Sequence, residues 1–224
     1  MADNIAAQPV IDRTAKNYIG GAQKRPDSGY SLPVIGADGT LLGEVGDGNR
    51  KDIRDAVEAA RKASSWGTAT AHNRAQVLYY VAENLDARAN EFATRLAALS
   101  GETRRRARRE VTAGVERLFH FAAMADKFDG AVHSAPYRGR TFAMHEPIGV
   151  IGIVCPDEAP LLALLSVAGA ALAMGNRIVL VPSGRGPLVA TDFYQVLDTS
   201  DVPAGAVSIV TGENDVLARV LAEH

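Results

Sequence analysis

The last third of the chain alternates short apolar runs with segments of helical character, and nothing else in the sequence restricts the fold as much. Residues 148–155 are apolar and lead into a long apolar run that ends at Met174. Residues 178–181 precede a helical pattern over 187–197, and residues 207–210 precede another over 215–222. Short runs of β-branched residues bounded by turn residues read as buried strands. Strands separated by whole helices cannot pair as hairpins, so they lie parallel with right-handed crossovers. The fold class is therefore α/β.

The region before this unit follows a different pattern. Residues 18–45 are rich in Gly, Pro and turn residues, and Asp38-Gly39 between apolar segments signals a hairpin of antiparallel strands. Asn49 is a good helix N-cap, and Asp52 three residues later completes a box-like start. Ile53, Val57 and Ala60 then share one helical face. Three more helices carry Val77, Leu78, Val81 and Leu85; Phe92, Leu96 and Leu99, stopped by Gly101; and Val111, Val115, Leu118 and Ala122. Residues 131–146 lose that periodicity, and residues 137–144 suit an extended arm. The expected organisation is a flexible tail over 1–15, a strand and helical portion over 16–130, an extended arm over 131–147 and a βαβαβα unit over 148–224.

Residues 146–160 read EPIGVIGIVCPDEAP. This resembles the signature of the NAD(P)-dependent aldehyde dehydrogenase superfamily, Glu-Pro-x-Gly-Val-x-Gly-x-Ile-x-Pro-Trp-Asn-x-Pro. The backbone-shaping residues match at Pro147, Gly149, Gly152, Pro156 and Pro160, whereas Asp157 stands at the Trp position and Glu158 at the Asn position. Residues 175–184 resemble the family's Gly-Asn-x-Val-x-Leu-Lys-Pro-Ser-Glu, with Val181 in place of the lysine and Gly184 in place of the glutamate. Residues 203–212 resemble Pro-x-Gly-Val-x-Asn-Val-Val-x-Gly, and residues 18–21 resemble the family's opening strand. The resemblance covers the chain from about Lys16 onward. It implies N-terminal helices and antiparallel strands plus a partial Rossmann-like parallel sheet, that is, a truncated aldehyde dehydrogenase-like fold. It also implies that residues 131–147 form an oligomerisation-type arm. A family member would run about twice as far, from one or more further domains of ordinary size. The family's Gly-Ser cofactor motif, its general base and its nucleophilic cysteine have no match among these residues.

The resemblance assigns chemistry to the altered positions. The family's Asn donates to the oxyanion formed when a thiolate attacks an aldehyde; the carboxylate of Glu158 cannot donate, and loss of one such donor costs about 2.7–4 kcal/mol of transition-state stabilisation. No residue of this chain is expected to be catalytic. The family's lysine and glutamate hold the adenine ribose, and neither Val181 nor Gly184 supplies a polar side chain. The segments corresponding to the family's cofactor contacts comprise Cys155, Pro156, Asp157, Val181, Pro182, Ser183 and Gly184. The expectation is no cofactor, with NAD(P) as the alternative.

Each candidate also has a plain structural reading. Asp157 and Glu158 suit a solvated turn or a local helix cap more than a new acid–base or metal pair. Gly149 and Gly152 fall short of a dinucleotide fingerprint and suit close backbone packing. Cys155 reads as a buried strand-end thiol, and Trp66 as a packing residue near the end of the first long helix. Arg104, Arg105, Arg106, Arg108 and Arg109 read as a solvated helix face or as partners in intersubunit salt bridges. His72, His120, His133, His145 and His224 show no metal-ligand spacing.

At 224 residues with a net charge of −2, the chain can bury a substantial core and carries no bulk charge that would select a partner. One cysteine excludes an internal disulfide. No basic segment leads an apolar one at the N-terminus, and the longest apolar run is too short to span a bilayer. A cytoplasmic protein without membrane contact is expected. The functional reading is an aldehyde dehydrogenase-like domain, non-catalytic on its own, with a structural or assembly role as a homo-oligomer or beside a companion aldehyde dehydrogenase domain. The degenerate module of aldehyde dehydrogenase family 16 has this character. The alternative is the N-terminal, cofactor-domain part of an active NAD(P)-dependent enzyme whose cysteine lies elsewhere. A third reading is phosphate or RNA binding through the arginine helix.

Overall fold

The computed structural model describes residues 14–128 and 130–224. Residues 1–13 of the stretch read as a tail lie outside the described residues; Thr14–Ala15 form a short strand, β1. Four strands follow: β2 (Asn17–Ile19), β3 (Ala22–Lys24), β4 (Ser31–Ile35) and β5 (Leu41–Gly46). The helices are α1 (Arg50–Lys62), the short α2 (Ser64–Thr68), α3 (Ala71–Ala87), α4 (Ala89–Ser100) and α5 (Arg104–Ala125). A hairpin of β6 (Ala131–Ser134) and β7 (Arg140–Ala143) precedes the alternating unit. That unit is β8 (Val150–Val154), α6 (Pro160–Ala173), β9 (Arg177–Val181), α7 (Pro187–Asp198), β10 (Val207–Ile209) and α8 (Asn214–Ala222).

The helix starts follow from local chemistry. Asn49 accepts from the amides of Lys51 and Asp52, and the Asp52 carboxylate accepts from the amide of Asn49, giving the reciprocal box. Thr70 caps α3 and Thr103 caps α5 through their hydroxyls. Gly101 ends α4 in the left-handed conformation at φ 72°.

β8, β9 and β10 are parallel, as the alternation requires. The sheet is nevertheless wider than the three-stranded unit that the last third alone suggests. β2 joins β10 antiparallel through Tyr18 and Ile209, and β3 pairs with β2, so five strands run in the order β3-β2-β10-β9-β8. One margin of the parallel unit is thus covered by the N-terminus of the same chain, while β8 remains an edge. A separate sheet joins β1, β5 and β4.

β9 shows how the layers form. Ile178 and Leu180 pack with α6, α7 and the α3–α5 bundle; Val179 and Val181 face the opposite layer of α1 and α8. Opposed faces at alternate residues are the pleat of a strand, and helices on both sides make the whole strand apolar. The apolar positions expected on the first four long helices are buried, Leu99 only partly. Trp66 is buried in α2, where its indole N–H donates to the Leu172 carbonyl at 3.2 Å.

The two glycines of the 146–160 segment have different reasons. A Cβ on Gly152 would meet Leu221 Cδ2 at 3.1 Å, so α8 approaches the strand there. Gly149 has open space around it and is needed for its φ of 131°.

Candidate nucleotide cleft

The chain turns that follow β8, β9 and β10 gather at the carboxyl ends of the parallel strands. In open α/β sheets this is where ligands bind. The cleft between these turns, α5 and β4 has a volume of about 1250 Å³. Asp157, Glu158, Pro182, Ser183, Gly184, Arg185, Glu213 and Asn214 line it on the sheet side; Glu102, Arg106, Arg109 and Glu110 line it from around the start of α5. The two stretches lie about fifty to eighty residues apart in sequence, from the spacing of Arg106 to Asp157 and Arg185.

Of the seven positions expected at a cofactor site, four face this cleft: Asp157, Pro182, Ser183 and Gly184. Val181 contributes nothing to it, because its side chain is wholly buried between the sheet and α1/α8. Cys155 is buried in the main core, and desolvation pushes its thiol up to about 12. Pro156 is exposed and lies outside the cleft lining. Glu158 is exposed at the cleft wall and has no side-chain partner among the described residues.

Asp157 is engaged. Its Oδ1 accepts from the Ser183 hydroxyl at 2.7 Å, and its Oδ2 lies 3.7 Å from the Arg185 guanidinium. The Ser183 oxygen in turn accepts from the Arg185 amide. Neither Asp157 nor Glu158 caps α6. Ala159 occupies the N-cap position in the left-handed region, at φ 47°, with no side chain able to cap.

The cap comes from Glu110 of α5. Its Oε1 accepts from the amides of Leu161 at 2.9 Å and Leu162 at 3.2 Å. Desolvation holds this carboxyl above its ordinary range, partly opposed by the two amides. Sequence reading did not single out Glu110. It sits 51 residues before Leu161, and no local pattern announces a cap delivered from another helix.

The cleft can be tested against a nucleotide cofactor on these groups alone. At Gly184 a Cβ would have no neighbour closer than Asn214 Nδ2 at 4.0 Å, so the position expected beside a ribose is open. Arg106, Arg109 and Arg185 line the cleft, and a guanidinium is suited to pair with phosphate. The polar anchors that the resemblance implied for the ribose, at Val181 and Gly184, are missing. The space and the cleft-lining guanidiniums fit a nucleotide; the ribose anchors do not.

The model of the aldehyde dehydrogenase family matches residues 27–224. The chain belongs to the aldehyde dehydrogenase family. An aldehyde dehydrogenase of Agaricus bisporus is 33% identical over 192 residues, which are 84% of this chain and 38% of that protein. A 2-hydroxymuconic semialdehyde dehydrogenase of Pseudomonas putida is 31% identical over 226 residues, covering 93% of this chain and 45% of that one. The crystal structure of the aldehyde dehydrogenase from Brucella melitensis biovar abortus 2308 superposes with a TM-score of 0.91 at 27% identity, over 94% of this chain and 44% of that one. PnpE, solved in complex with nicotinamide adenine dinucleotide, gives 0.90 at 28% identity over 93% and 44%.

The chain therefore spans less than half the length of these relatives and resembles the N-terminal, cofactor-binding part of the aldehyde dehydrogenase fold. Between the two cofactor expectations, the fold and the relatives favour the alternative, NAD(P), over the absence of a cofactor. Among the described residues, no helix is long and apolar enough to cross a membrane, and no group of three or more His, Cys, Asp or Glu could hold a metal ion.

Proposed function

We propose that this chain is the cofactor-domain portion of an NAD(P)-dependent aldehyde dehydrogenase, with the reactive cysteine contributed by other sequence. The observation that carries the reading is the open cleft at the carboxyl ends of β8, β9 and β10, in a fold that overlays a relative solved with its dinucleotide. When bound, NAD(P) would supply the hydride acceptor for aldehyde oxidation. This chain's part is to hold the nucleotide: Gly184 leaves room for the ribose, and Asn214, which donates to the Pro182 carbonyl at 3.1 Å, fixes the turn beneath it.

The sole cysteine, Cys155, is buried and cannot act as the nucleophile. Glu158 stands in the oxyanion-donor position that the family signature implies, and its carboxylate can only accept hydrogen bonds. Both features support the view that this portion contributes binding rather than chemistry. The altered positions Asp157, Glu158, Val181 and Gly184 support a second reading, the degenerate module of family 16, which the flanking sequence would test. Calorimetric titration of the chain with NAD+ and NADP+ tests the proposal. Saturable binding of either is expected; no binding at millimolar nucleotide overturns it.

A further inference from the structure

In strand–helix folds the first helix after the first strand ordinarily presents free amides and a positive dipole end to a phosphate. Here that position is filled from within. Glu110 accepts from the first amides of α6, and its carboxylate occupies the place a phosphate would take. A phosphate-bearing ligand in this cleft has to find its counter-charge elsewhere.

Arg109 and Arg185 line the cleft from α5 and from the turn after β9. Arg109 is exposed, lines the cleft from α5, and has no hydrogen-bond or ion-pair partner among the described residues. Its position is also energetically adverse: five arginines crowd the positive end of α5, and no acidic residue lies in the first turn. Cations there are opposed by the helix dipole. The Arg185 side chain is 82% exposed beside the open Gly184 position and, among the described residues, is held only by a 3.7 Å approach to Asp157. A guanidinium matches a phosphate with paired N–H donors.

The opposing charges are of two kinds. Glu102 is paired with Arg106 at 3.1 Å, while Asp157 and Glu110 are already engaged. Glu158 and Glu213 face the cleft and lower its affinity for any anion, which makes direct guanidinium contact the decisive term.

We propose that Arg109 and Arg185 bind the phosphates of the nucleotide that enters this cleft, in the role that Glu110 denies to the start of α6. The proposal rests on the nucleotide reading given above. It is tested by titrating the 224-residue chain and its Arg109→Ala and Arg185→Ala variants with NADP+, NAD+ and phosphate-free adenosine. Each variant is expected to weaken both dinucleotides about tenfold, the loss of a charge-assisted hydrogen bond, and to leave the affinity for adenosine unchanged. Both side chains are exposed, so neither variant should melt below the parent. If the parent binds a dinucleotide and neither variant weakens it, the arginine assignment is overturned and the nucleotide reading stands. An equal loss for adenosine also overturns the assignment, because the effect would not lie at phosphate. If the parent binds no nucleotide, both readings fall together.

Discussion

Single side chains decide what this chain can and cannot do. Cys155 is its only thiol, and burial keeps it protonated up to about 12. Alkylation with a thiol reagent near neutral pH is expected to be slow in the native protein and fast in denaturant; rapid native labelling would contradict the buried placement. With that thiol inert, the isolated chain is expected to produce no NADH from any aldehyde above a no-protein control. Glu110 acts differently, because its value lies in the two amides it satisfies. Glu110→Ala leaves both amides without their acceptor and should cost about 1 kcal/mol, as loss of a helix cap does, or roughly 2–4 °C in melting temperature for a domain of this size. Glu110→Gln keeps an acceptor oxygen and should cost less. The pH dependence has a definite sign. Desolvation raises the folded-state pKa above the ordinary 4.5, so the folded protein holds this proton more tightly than the unfolded chain. The associated stability is complete below the unfolded value and is lost as pH rises through the folded one. Melting temperatures of parent and Glu110→Gln, followed from pH 4.5 upward, should show the parent losing stability relative to the variant; a difference independent of pH would sink this account.

At the scale of elements, local signals were readable and distant pairings were not. The cap at Asn49, the stop at Gly101 and the spacing of apolar residues in α1, α3, α4 and α5 all follow from interactions within a turn or two. Asn49→Ala should therefore cost about 1 kcal/mol, seen as a lower denaturation midpoint, with Asp52 still receiving the amide of Asp27. The parallel order of β8, β9 and β10 was legible because intervening helices forbid hairpins. The pairing of β2 with β10 was not: it joins residues nearly the whole chain apart, and the sequence of β2 says nothing about which edge it will meet. The Tyr18 hydroxyl donates to Asp198 at 2.5 Å and its ring stacks on Tyr194, fixing that strand against α7 through side chains equally remote in sequence. The site divides in the same way. Asp157, Ser183 and Gly184 were named through the family resemblance and do line the cleft, whereas Glu110 and Arg109 come from a helix that reaches the cleft only after folding. The layer in which Val181 is buried was not legible either. Its strand is covered on both faces, so the side chain that a polar anchor would extend is turned into the α1/α8 layer.

For the whole molecule, the two sheet margins differ in kind. β3 is short, exposed and carries Gln23 and Lys24, the features that discourage further pairing. β8 is apolar throughout, from Val150 to Val154, yet no strand pairs with its outer side among the described residues. The β6–β7 hairpin pairs only with itself there, and Val132, Phe142 and, in its loop, Tyr137 are more than 60% exposed. Together they leave apolar surface on two separate features, and surface of that kind marks association. We predict that the chain self-associates, principally through the hairpin, where large side chains and free strand margins coincide. Sedimentation across a wide concentration range should show mass increasing with concentration. Phe142→Asp places a charge on the exposed hairpin without touching the core and should shift the protein toward monomer. Val154→Lys, on the margin of β8, separates the two surfaces: a larger shift from this variant than from Phe142→Asp would move the contact to the sheet edge. A parent protein that stays monomeric at its highest soluble concentration would show that neither surface drives assembly of this chain by itself.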